Sequence, residues 1–186
     1  MAAQPGVTTY IGLLRAVNLA AHNRVSMTAL RELLTDLGML DVRTLVQSGN
    51  VVFRTRTRSP LTLEQTLERA TADRLGVSTD YMVRTVDEWA KVIAGNPFPD
   101  QAKNSPNRLL MMSLKDAPER ETAAAFVRTL SGPEMVHAAG RHVYIVYPDG
   151  VGQSRLSGSL IEKHLRTRGT ARNWNTVVKL GALVGI

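Results

Sequence analysis

The sequence predicts an α+β protein of two ferredoxin-like, split βαβ subdomains, the second modified with a C-terminal helix. Three observations carry that expectation. Short segments alternate apolar and polar residues at the strand period or repeat them at the helix period. Over the first half these segments run strand, helix, strand, strand, helix, strand, the order of a split βαβ sheet with two helices on one face. The second half partly repeats that order. The chain has 186 residues, 44% of them apolar and 21% charged, which suits a soluble globular protein with a real core.

The first element, "VTTYIGLLRAVNL", has apolar residues on both alternation sets, as a mid-sheet strand covered on both faces requires. Ser26 then caps a helix whose Met27, Leu30, Leu33, Leu34 and Leu37 form one stripe, ended by Gly38. "DVRTLVQ" and "NVVFRTR" flank Ser48-Gly49 as a hairpin. A helix with a Thr62/Gln65 capping box runs to Gly76, and "TDYMVRT" is the next strand. A short helix around "VDEWAKVI" and the turn-rich "GNPFPDQAKNSPN" lead out, with Trp89 and Phe98 as apolar anchors.

In the second half "RLLMMSL" reads as a strand and "PERETAAAFVRTL" as a helix with Pro118 in its first turn. "EMVHAA" and "RHVYIVYP" form a hairpin, and "SLIEKHL" is a helix. In place of a fourth strand we expect a short extended piece and then the helix "WNTVVKLGALV". The expected boundaries are 1–86 for the first subdomain, 87–106 for a helix and ordered linker, and 107–186 for the second subdomain.

Net charge is +7, and most of the excess lies late: from Arg141 onward there are seven basic residues against Asp149 and Glu162. Such a field attracts anions, whether nucleic acid, phosphorylated metabolites or an acidic partner. No apolar run approaches the ~18–20 residues that cross a bilayer. The start lacks a basic region ahead of its apolar burst, so no signal peptide and a cytoplasmic location are expected. The absence of cysteine excludes disulfides, thiolate catalysis and sulfur-ligated metal. The spacing of His22, His137, His142 and His164 matches no common metal motif, and neither a Walker A loop nor a dinucleotide fingerprint occurs, so no cofactor is expected. His22, beside Asn23 and Arg24, is the least implausible proton-transfer residue, and an ordinary loop histidine is the better explanation of it.

Five polar blocks do not look like packing. Arg15 shares a strand face with Ile11 and Leu13, and an arginine there must meet a ligand anion or an internal carboxylate; Asn18 follows at the strand exit. Ser48, Gly49 and Asn50 are either turn residues or a small donor nest. Arg54, Arg56 and Arg58 alternate behind them as a solvated face or a polyanion contact. "YPDGVGQSRLSGSL" offers glycines, serines and Arg155 ahead of a helix, either as a phosphate cradle or as a capped loop without ligand. "TARNWNT" sets Arg172, Asn173, Asn175 and Thr176 around Trp174, which is more than a helix cap needs. Its indole can pack under the sheet or stack on a ring.

These blocks together resemble the bacterial family known as domain of unknown function 1697, over roughly residues 9–183. The likeness rests on "YIGLLRAVNLAAHNRVSMTALRELLTDLGMLDVRTLVQSGNVVFR", "NPFP", "YPDGVGQSRLSGSLIEKHL" and "TARNWNTVVKL". Its signature residues fall on Arg15, Asn18, Asn23 and Gln47–Asn50, then on Pro97, Phe98, Pro148 and Gly150, and finally on Arg172–Thr176. Members commonly carry glycines after the asparagine of the first block, where this chain has Ala20-Ala21, with Ala16 earlier. The resemblance implies a pair of ferredoxin-like subdomains and no general activity.

For function we expect a binder of a phosphate-bearing or other anionic ligand, nucleic acid among the targets, with Arg15, Asn18, Ser48, Gly49, Asn50, Arg155, Arg172, Asn173, Trp174, Asn175 and Thr176 as ligand contacts. The alternatives are a small-molecule enzyme with a polar anion clamp between subdomains and a protein-binding adaptor. The sequence leaves catalysis and oligomeric state open.

Overall fold

The computed structural model describes residues 6–18 and 24–186. His22, Asn23 and Ala20-Ala21 lie outside the described residues. The chain divides into two compact units, residues 1–91 with 180–186, and residues 92–179. Each contains a four-stranded antiparallel sheet with helices between the strands, an α+β fold.

In the first unit the strands are β1 (Thr8–Leu14), β2 (Leu40–Thr44), β3 (Asn50–Thr55) and β4 (Tyr81–Thr85), in the order β2-β3-β1-β4. The connecting helices are α1 (Met27–Asp36) and α2 (Pro60–Leu75), followed by α3 (Val86–Ala94). Met27, Leu30, Leu33 and Leu34 of α1 are buried with Leu63 and Leu67 of α2 against Tyr10, Phe53, Tyr81 and Val83 of the sheet. Leu37, expected on the same stripe, is instead the C-cap and is exposed. The alternate set, Ile11, Leu13, Val52 and Met82, is buried as well, so β1 is covered on both faces as its composition demands.

The second unit holds α4 (Pro99–Asn104), β5 (Leu109–Leu114), α5 (Arg120–Thr129), β6 (Met135–Ala139), β7 (His142–Val146), α6 (Gly158–Leu165) and β8 (Gly169–Asn173). Its strand order, β6-β7-β5-β8, matches that of the first sheet. Helix α7 (Trp174–Val184) follows β8 directly. The core joins Met112, Leu114, Val143 and Ile145 of the sheet to Phe126, Ile161 and Leu165 of the helices.

Several local expectations need correction. β8 is a full strand, pairing with β5 from Leu110↔Asn173 to Leu114↔Gly169, where the sequence read only as a short extended piece. The turn-rich linker contains α4, because Pro99 occupies a first-turn position where its missing N–H costs nothing. α2 starts earlier than the Thr62/Gln65 box implied: Ser59 is the cap, accepting from Thr62 N at 3.2 Å. α5 begins at Arg120, leaving Pro118 ahead of it. β1 stops at Leu14, since Ala16 (φ 54°) and Asn18 (φ 57°) turn the chain off the sheet, so Arg15 lies past the strand face rather than on it.

All four tyrosines lie in these cores, and burial raises the pKa of every one; Tyr144 and Tyr147 are pushed up to about 12 from 10.0. A phenol with a raised native pKa binds its proton more tightly folded than unfolded. Its contribution to stability is therefore complete below pH 10 and is lost as pH climbs through about 12. Spectrophotometric titration should find almost no phenolate in the native protein at pH 10, and about half ionisation in urea.

Candidate functional site

In the first unit the fold gathers Arg15, Asn18, Ser48, Gly49 and Asn50 around the end of β1. Gly49 O accepts from Leu14 N at 2.8 Å. The Arg15 backbone is tied to the entry of β4, with N donating to Asp80 O at 2.9 Å and O accepting from Thr79 Oγ1 at 2.7 Å. Its guanidinium lies 3.8 Å from Asp80 Oδ2. The Asn18 amide works on backbone: Nδ2 donates to Val25 O (3.0 Å) and Gln47 O (2.6 Å), and Oδ1 accepts from Val25 N (2.9 Å). Asn50 is fully buried and donates to Leu45 O (2.8 Å) and Ser48 Oγ (3.1 Å). These amides hold two loops together in this conformation. Further along β3, Arg54 pairs with Asp41 at 2.7 Å, and Arg56 and Arg58 follow in an exposed loop.

Gly49 is fixed by sterics. Its φ is +75°, and an added Cβ would lie 2.6 Å from Val17 Cγ2 and 2.7 Å from Leu14 Cβ.

In the second unit the "TARNWNT" residues form the join between β8 and α7. Asn173 caps the helix, its Oδ1 accepting from Thr176 N and Thr176 Oγ1, each at 3.0 Å. Asn175 is exposed in the first turn. Trp174 is buried with its ring centroid 6.3 Å from that of Tyr144. Arg172 is buried too; Nη1 donates to Thr170 Oγ1 and Ala171 O at 2.8 Å each, and burial lowers its pKa to about 10.

Arg155 lies elsewhere in this unit. The connection from β7 to α6, residues 147–157, arches beside the turn from α5 to β6 and encloses a cavity of about 450 Å³. Tyr147 anchors the arch, its hydroxyl donating to Leu156 O at 3.0 Å. Its far wall comes from the 129–134 segment and from His164, whose ring sits 5.4 Å from that of Phe126. Arg155 is exposed, and its guanidinium has no hydrogen-bond or ion-pair partner among the described residues. The carboxylates of Glu134 and Asp149 line the same hollow. The sequence pointed to the Pro148–Arg155 loop but not to Glu134, whose only local signal is the turn "SGPE" before a strand. Among the described residues no group of three His, Asp or Glu side chains could hold a metal ion, and no helix is long and apolar enough to cross a membrane.

This two-sheet architecture has known counterparts. The model of a protein family of unknown function, DUF1697, matches residues 7–144, and the chain belongs to that family. The fold is similar to that of a conserved bacterial protein from Streptococcus pneumoniae, with TM-score 0.73 and 22% identity over 96% of this chain and 99% of that one. No curated protein matches the chain.

The steric reading of the first cluster yields a paired expectation. Gly49→Ala should lower unfolding free energy by at least ~2 kcal/mol, from the left-handed φ and the clash together. Ala16→Gly, which relieves a left-handed alanine, should gain up to ~1 kcal/mol. Urea denaturation of the two variants measures both.

Proposed function

We propose that the protein binds a small anionic molecule in the cavity of its second unit, with Arg155 as the anchor. One observation carries this reading: a hollow of about 450 Å³ lined by Arg155, whose guanidinium is unpaired among the described residues. Hollows that hold small molecules span ~300–1,000 Å³. Arginine presents a planar fork that grips carboxylate or phosphate through two parallel hydrogen bonds. Gln153 and Ser131 line the same hollow, and their side chains can act as further donors.

Aromatic burial favours a small anion over a nucleic acid. Single-stranded nucleic acid is usually gripped by bases stacked on exposed rings. Eight of the nine aromatic side chains are buried, Trp174 among them, and Phe98 is half-buried. A polyanion would be left with phosphate contacts alone, which salt weakens steeply.

Thermal shift and calorimetry with inorganic phosphate, pyrophosphate, small carboxylates and nucleoside monophosphates test the proposal. A ligand at a hundred times its Kd should stabilise the protein by ~2.7 kcal/mol. Arg155→Ala should weaken that ligand about tenfold, the value of ~1.4 kcal/mol in a charge-assisted contact. A wild-type melting temperature indifferent to every anion, or a shift that survives Arg155→Ala intact, would defeat the idea. Anisotropy with short RNA and DNA at low salt should find little binding.

A further inference from the structure

The cavity carries charges of both signs that do not neutralise one another. Arg155, Glu134 and Asp149 all line it, and among the described residues none of the three takes part in an ion pair. Flexible opposite charges around so small a hollow would ordinarily swing together. Glu134 is kept from doing so by its surroundings. Its Oε1 accepts a hydrogen bond from Ser154 Oγ, and Ser154 Oγ is itself fixed by accepting from Leu156 N at 2.9 Å. Its Oε2 rests against Gly132, in the space that a β-carbon at that position would occupy. The carboxylate is thus pinned between the two loops that form the cavity. Its charge is felt locally: Tyr147, pushed up to about 12 chiefly by burial, is raised further by Glu134.

This arrangement discriminates among ligands. A simple anion on Arg155 is held less tightly because of the two carboxylates beside it, and a simple cation is opposed by the guanidinium. A molecule bearing both charges satisfies each wall. We propose that the ligand is zwitterionic, an amino-acid-like or aminoalkyl-phosphate compound whose anionic end lies on Arg155 and whose ammonium lies on Glu134 and Asp149. The inference rests on the reading of this cavity as the binding site. It adds the requirement for a cationic group.

Isothermal titration of the full-length protein with matched probes decides it: β-alanine against propionate, and O-phosphoethanolamine against ethyl phosphate. Within at least one pair the aminated member should bind at least about tenfold more tightly, the scale of one charge-assisted hydrogen bond. Glu134→Gln, which retains an acceptor for Ser154, should bring that pair close to parity. Asp149→Asn, at an exposed side chain that makes no hydrogen bond, should narrow the preference and serves if the first variant does not fold. Arg155→Ala should weaken both members equally. If the amine-free probes bind as tightly as their partners and Arg155→Ala abolishes both, the zwitterion inference falls while the anion site stands. A preference unchanged in both carboxylate variants also overturns it. If no probe of either pair binds, the anion site falls with it.

Discussion

One of the two interior strands of each sheet buries both of its faces. β1 lies between β3 and β4, and β5 between β7 and β8, so neither has an edge, and their side chains are apolar on both alternation sets. A charge within such a strand would lose its hydration without compensation, at a cost of several kcal/mol. The charged groups therefore begin where the strands stop. Arg15 is the first residue past β1 and faces Asp80; Lys115 is the first past β5, its N–H donating to Arg168 O at 2.8 Å. Polar groups that remain inside, such as Asn50 at the head of β3 and Arg172 on the edge strand β8, are hydrogen-bonded to nearby backbone or hydroxyl oxygens. Ligand-accessible chemistry is left to the loops.

The two sheets share one strand order but differ in the lengths of their connections, and one of those differences accompanies the cavity. In the first unit β3 reaches α2 through residues 56–59; in the second, the corresponding link from β7 to α6 takes residues 147–157. The longer link folds over the end of its sheet and meets the α5–β6 turn through Ser154 and Glu134. A cavity results where the shorter link has no length to build one. In the first unit the matching effort goes into closure: Asn18 bridges Val25 and Gln47, and Gly49 lets Leu14 and Val17 close against the hairpin.

Much of the architecture was legible because periodicity survives burial. The α1 stripe, the doubly apolar β1 and the Ser26 cap were all visible in the residues themselves, and the cap is observed, Ser26 Oγ accepting from Ala29 N at 3.4 Å. α4 was hidden because "PFPDQAKN" has the composition of a turn, while its proline stands where a helix tolerates one. β8 was hidden because five residues holding Arg172, Asn173 and Thr170 show no alternation; pairing with β5 makes them a strand. For the candidate site, the glycine- and serine-bearing loop around Arg155 stood out locally. Glu134 could not, since its importance arises from adjacency between segments twenty residues apart, Glu134 and Ser154.

The long link also divides into fixed ends and an exposed crown. Its two ends are bolted down: Tyr147 N–H donates to Arg108 O at 2.9 Å, Arg108 holds Pro148 O, and the Tyr147 hydroxyl secures Leu156. Its crown, the single 3-10 turn Val151–Gln153, is exposed, and Gly152 has open space where a side chain would project. Residues there can be exchanged without disturbing a strand or a helix. The crown is thus an interchangeable cassette, a segment whose length and residues can vary while the scaffold stays the same.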